Sequence, residues 1–165
     1  MHTDATRSNV TLSVTVVGEF PLPKGMTDRS LHSLGLWILE AEGASGDWQI
    51  ALMLISDDVI QELHRDYMEI DSPTDVMTFP YQPLGIFADV PFTSGGDIAI
   101  SMETAAVNAV EAGWDLRDEL EFLVAHGILH ILDWDDRDLG ARAAMLARQS
   151  ELLAEWHAQA SGIGP

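Results

Sequence analysis

His126-Gly127-Ile128-Leu129-His130-Ile131-Leu132-Asp133-Trp134-Asp135-Asp136 is the stretch of this 165-residue chain from which the rest is best read. Two imidazoles four residues apart fall on one face of a helix, with Cβ atoms about 5–6 Å from each other, so both can bind one ion. Asp136 follows past a helix end expected at Asp133, where a reversal of the chain returns its carboxylate to the same ion. Three ligands leave a position for water, whose pKa a zinc-type ion lowers to about 7. Zinc proteases share the histidine spacing but carry Glu directly after the first histidine as general base. Gly127 occupies that position here, so proteolysis is disfavoured. Spacing alone leaves a second reading open: two helical histidines with hydrogen-bonded rings, followed by Asp135 and Asp136 in a solvated turn.

Outward from this stretch, the helix that holds the pair runs from Asp115 to Leu132, with Asp115 as cap and Asp118 and Glu119 near its start. Leu139 to Gln159 reads as a C-terminal helix, and Met102 to Ala112 as a helix ending at Gly113. Upstream, Thr11 to Val17 (TLSVTVV) alternates as a strand, and Thr27 caps a helix with Leu31, Leu34, Trp37 and Ile38 at helical spacing. Trp48 to Ile55 (WQIALMLI) is the most apolar run and reads as a central strand. Ser56, with Asp57 and Asp58 behind it, starts a helix to about Tyr67. Asp71-Ser72-Pro73-Thr74 is a turn, Asp75 to Pro80 a short strand, Gln82 to Gly95 a long loop, and Gly96 to Ser101 a further strand. The expected fold is α+β: a small mixed sheet of about four strands packed with about five helices, the metal site on a helix of the C-terminal half. It forms one domain over residues 1–165, with 1–10 and 161–165 as flexible ends.

Composition narrows the chemistry. The chain has no cysteine, which excludes disulfides, thiolate metal sites and a cysteine nucleophile, so any metal takes nitrogen and oxygen ligands. There is no secretory signal pattern at the N-terminus and no apolar run approaching 18 residues, so the expectation is a cytoplasmic protein without a membrane partner. Net charge is −19, from 8 Lys+Arg against 27 Asp+Glu, which opposes non-specific binding to nucleic acid. An acidic protein can still handle RNA where a metal and a few local cations line one cleft.

Three ordered blocks then resemble the YbeY family. His126 to Asp136 is similar to its signature H-G-x-L-H-L-x-G-Y-D-H, in which Phe alternates with Tyr. Leu63 to Pro80 (LHRDYMEIDSPTDVMTFP) resembles L-N-x-x-Y-R-x-x-D-x-P-T-D-V-L-S-F-P, and Gly96 to Ser101 (GDIAIS) resembles G-D-I-x-I-S. The likeness covers residues 50–155. It implies the family's α+β fold and a metal-dependent endoribonuclease acting on single-stranded RNA in ribosomal RNA maturation. It also implies a metal held at the signature histidines, beside a groove near the Pro-Thr-Asp strand.

Four departures from the family pattern bear on mechanism. Asp136 stands for the third histidine, Asp133 for the glycine, His64 for an asparagine, and Met68 for an arginine tied to activity. The implied ligands are therefore His126, His130 and Asp136 around one divalent ion, zinc first, with nickel, iron and manganese compatible. Arg65, three residues before Met68, is the candidate to replace the lost guanidinium beside catalytic His126 and His130. His64, Thr74, Asp75 and Thr78 are the candidate substrate contacts, although Pro73 and Thr74 also simply suit a turn. Trp134 serves as a packing lid on the metal helix, or stacks a base. The implied partners are single-stranded ribosomal RNA and the ribosome, not DNA. Loss of the arginine, with the charge of −19, keeps a catalytically weakened ribosome-associated assembly factor as an alternative, and the open site keeps a metal-dependent hydrolase of another substrate.

Overall fold

The computed structural model describes residues 9–81 and 93–160. Its elements in chain order are β1 (Val10–Gly18), α1 (Asp28–Ala41), β2 (Gly46–Ile55), α2 (Asp57–Met68), β3 (Val76–Pro80), β4 (Ser94–Ser101), α3 (Met102–Ala112), α4 (Leu116–Ile131) and α5 (Leu139–Ala160). The α+β expectation holds, with one four-stranded sheet in the order β1-β2-β4-β3. β1, β2 and β4 run parallel, and β3 is antiparallel on the edge beside β4. Among the described residues no helix is long and apolar enough to cross a membrane.

The interior strands carry apolar residues on both faces, as strands covered on both sides do. Ile50, Leu52 and Leu54 of β2, with Ile98 and Ile100 of β4, enter the large core with Leu34 and Ile38 of α1 and Leu120, Leu123 and Ile128 of α4. Their neighbours Met53, Ile55 and Ala99 face the other way, into a smaller cluster with Met77 of β3 and Ile60 of α2. The sheet is thus sandwiched unequally. Its thick side holds α4, the helix with the histidine pair, and α5 packs on α4 beyond it.

Gly127 explains how α4 lies so close to the sheet. A Cβ there would sit 2.9 Å from Ile98 Cδ1 and Cγ2, so only glycine fits without displacing the Ile98 side chain of β4. The glutamate of the zinc proteases has no space at that position.

Local sequence accounts for most boundaries. Thr27 caps α1 in a capping box with Ser30, and Ser56 caps α2 through the Val59 N–H. Asp115 stands at the α4 N-cap, although its side chain makes no capping hydrogen bond. Two boundaries differ: Val10 is buried in β1 and pairs with Gly46, so the flexible lead expected over 1–10 does not include it, and Ser94 and Gly95, expected in the long loop, pair with Trp48 and Gln49 in β4. Most of the long loop expected after Tyr81 and the tail from 161 lie outside the described residues.

Candidate metal centre

The end of α4 builds the site. Asp133 adopts left-handed backbone with φ 70°, and the Asp133 and Trp134 N–H groups donate to the carbonyls of His130 and Leu129. This is a Schellman turn, made with Asp where glycine is commoner. It folds the next residues back over the helix, so that Trp134 packs against the core and Asp136 returns to the histidines. Asp136 Oδ2 lies 3.2 Å from His130 Nε2 and 3.5 Å from His126 Nε2, and the two Nε2 atoms are 3.1 Å apart. The three form the group of metal-capable side chains among the described residues.

The opposite ring nitrogens settle which atoms carry protons. His130 Nδ1 is 3.0 Å from the Trp134 carbonyl oxygen, which can only accept, so Nδ1 carries a proton and the neutral ring presents its lone pair on Nε2. The Gln149 amide donates Nε2–H to the Phe122 carbonyl at 3.0 Å, which aims its Oε1 at His126 Nδ1, also at 3.0 Å. His126 is therefore protonated on Nδ1 as well. With both rings neutral, two lone pairs and a carboxylate oxygen converge, an arrangement that a cation between them completes. Burial pushes the His126 imidazole below its ordinary range, against the alternative of an imidazolium.

The spacing fits an ion of zinc's size: a tetrahedron with bonds of about 2.0–2.1 Å has edges of about 3.3–3.4 Å. His126, His130 and Asp136 can thus hold one divalent ion. The side chains of His130 and Asp136 are 25% and 36% exposed, so the fourth side is open to solvent.

That open side faces a cleft of about 860 Å³ between α2, β3, α4 and α5. His64, Thr74, Asp75 and Thr78, the expected substrate contacts, all line it together with the three ligands. His64 Nδ1 donates to the Ser72 carbonyl at 2.8 Å and so closes the α2–β3 turn; it does not join the metal group. Asp75 accepts from Asn108 of α3, whose amide also reaches buried Glu119, and burial raises the Glu119 carboxyl above its usual range. Arg65 is not among the lining residues. Its guanidinium meets Asp66 at 3.4 Å on the outside of α2, while His64, Tyr67 and Met68 face the cleft. Asp97 of β4 accepts from the Tyr81 hydroxyl and is not among the residues that line the cleft.

Residues 25–157 match the family described as endoribonuclease YbeY. The chain belongs to the YbeY endoribonuclease family. YbeY proteins are hydrolytic nucleases by name. The chain is 40% identical over 119 residues to the endoribonuclease YbeY of Moorella thermoacetica, covering 69% of this chain and 76% of that one. It is 36% identical over 141 residues to the Synechococcus sp. protein of the same name, covering 82% and 86%. A solution structure from Thermotoga maritima shares the fold with a TM-score of 0.53 and 26% identity, covering 89% of this chain and 93% of that one.

Sequence reasoning about YbeY motifs missed three residues around this group: Gln149, which accepts from His126 Nδ1, Asn108, which donates to Asp75, and Arg142, which lines the cleft. Gln149 left a signal. It lies between Met145 and Leu152 on the buried stripe of α5, where a polar side chain needs a partner.

Proposed function

We propose that the protein is a metal-dependent endoribonuclease that cuts single-stranded RNA during ribosomal RNA maturation, in the cytoplasm, with ribosomal RNA and the ribosome as partners. The observation that carries this reading is the convergence of two imidazole lone pairs and a carboxylate at the floor of an open cleft. Family membership supplies the substrate class. Two histidines and a carboxylate in tetrahedral spacing favour zinc, with nickel, iron and manganese compatible. When bound, such an ion supplies a water acidic enough to lose its proton near neutral pH and polarises a phosphoryl oxygen.

The chain's own residues do the rest. His126, His130 and Asp136 hold the ion, while Gln149 and the Trp134 carbonyl keep both rings in the tautomer that presents Nε2. Thr74, Asp75 and Thr78 lie along one wall as hydrogen-bonding partners for the strand, with His64 at the rim. Tyr67 is 69% exposed at that rim and packs edge-on against Phe79, which leaves its face for an unpaired base. Stacking of this kind needs an unpaired strand, hence the preference for single-stranded RNA over a duplex.

The test is cleavage of an end-labelled single-stranded RNA, its duplex and the equivalent DNA, with and without chelator, by the wild type and His126→Ala. Single-stranded RNA alone should be cut, and both chelation and the substitution should stop it. Cutting that survives His126→Ala would refute the reading. The net charge of −19 favours a second reading, a weakened ribosome-associated assembly factor, which requires the metal-loaded wild type to be inert on RNA.

A further inference from the structure

We propose that Arg142, in the first turn of α5, is the cation that grips the RNA phosphate at this centre. The inference rests on the endoribonuclease reading and names the one part that reading lacks, a positive side chain at the reacting strand. Among the cleft's lining residues Arg142 is the single arginine or lysine, and it shares the cavity with His126, His130 and Asp136.

Among the described residues the other cations lie elsewhere. Arg65 meets Asp66, Arg137 chelates Asp135 at 2.9 and 3.0 Å, and Arg148 binds Glu42 and Glu151 at 2.8 Å each. Arg117 lies against Gly25, and neither Lys24 nor Arg29 lines the cleft.

Arg142 differs. Its side chain is exposed and makes no hydrogen bond or ion pair among the described residues, in a chain where acids outnumber bases 27 to 8. The carboxylate one turn before it, Asp138, accepts the Ala141 N–H at 2.8 Å, which holds it to the helix start. A guanidinium kept free of carboxylates beside a metal-ligand group suits a ligand with a tetrahedral anion. Its planar fork binds two phosphate oxygens at once and can follow charge that builds as the ester breaks. It also answers the absence of a guanidinium at Met68, which lines the same cleft from α2.

The experiment compares the metal-loaded wild type with Arg142→Ala, Arg142→Lys, Arg65→Ala and the double variant Met68→Arg/Arg142→Ala. Metal content and melting temperature are recorded for each, and kcat/KM is measured on a single-stranded RNA. RNA affinity is measured against salt in a His126→Ala background, so that the strand stays intact. Arg142→Ala should keep its metal and melting temperature yet lose about 10²–10³-fold in kcat/KM. Its slope of log affinity against log salt should fall by about 0.7, the value of one phosphate contact on a single strand. Lysine should restore the slope better than the rate, because it keeps the charge and loses the fork. Met68→Arg should recover part of the rate in the double variant, and Arg65→Ala should stay near wild type.

Wild-type cleavage and an unchanged salt slope in Arg142→Ala would overturn the proposal, as would the loss appearing in Arg65→Ala instead. If the wild type cuts no RNA, the endoribonuclease reading fails and the salt slope alone decides. A slope lowered by Arg142→Ala then keeps the phosphate contact, and an unchanged slope removes it.

Discussion

Replacing Gln149 with leucine tests the logic of the metal centre most directly. The side chain is fully buried and makes two hydrogen bonds of 3.0 Å, one received from His126 Nδ1 and one given to the Phe122 carbonyl. Leucine fills similar space and removes both. Stability should fall because the Nδ1–H is stranded in the core, at about 1–3 kcal/mol for an unsatisfied buried donor. For a chain of this length each kcal/mol lowers Tm by about 2–4 °C. Metal affinity should fall separately, because nothing then holds the His126 ring with Nε2 towards His130 and Asp136. Loss of such an outer partner costs about 10–100-fold, or about 1.4–2.8 kcal/mol of binding. Gln149→Glu separates the two effects: it keeps an acceptor for Nδ1–H but sets a carboxylate oxygen against the Phe122 carbonyl. It should therefore lose stability while holding zinc better than the leucine variant. Competition of metal-free protein against a chromophoric chelator gives the affinities, and thermal melting gives the stabilities. Wild-type zinc affinity in Gln149→Leu, whatever its Tm, would refute the tautomer argument and leave Gln149 a packing residue.

Asp136→Ala should lower zinc bound per chain in protein purified without a histidine tag, whereas Asp136→His should retain it; equal metal in wild type and the alanine variant would remove Asp136 from the ligands. Gly127→Ala puts a methyl 2.9 Å from Ile98 and should cost about 1–3 kcal/mol, read as a lower Tm, since α4 must back away from β4. Hydrogen bonds from Ser101, then Thr104, hold the Asp57 carboxyl below its ordinary 3.8. The unfolded chain takes up that proton first as pH falls, so the contribution of Asp57 is complete above about 3.8 and lost as pH drops through the lower folded value. Asp57→Asn should flatten acid unfolding in that window, and an unaltered acid limb would show that the hydrogen bonds from Ser101 and Thr104 carry no linkage.

How much of the site the sequence reveals follows from how far along the chain each part is built. The histidine pair is set by helical period, and Asp136 by a turn closed within the next residues, so both are visible from spacing and from Asp at a left-handed position. Gln149, Asn108 and Arg142 stand on helices that tertiary packing alone brings to α4, and no local pattern states that α5 faces the metal side of that helix. The expectation for Arg65 had a flaw that the sequence itself could have exposed. His64, Tyr67 and Met68, at i, i+3 and i+4, make one face of α2, and the structure turns that face to the cleft. Arg65 is one residue past His64, about 100° around the helix, and leaves that arc. Counting from Met68 alone made i−3 look adjacent; counting from the whole face places Arg65 outside it. A guanidinium that reaches the strand must therefore come from another element, and α5 is the element that places one there.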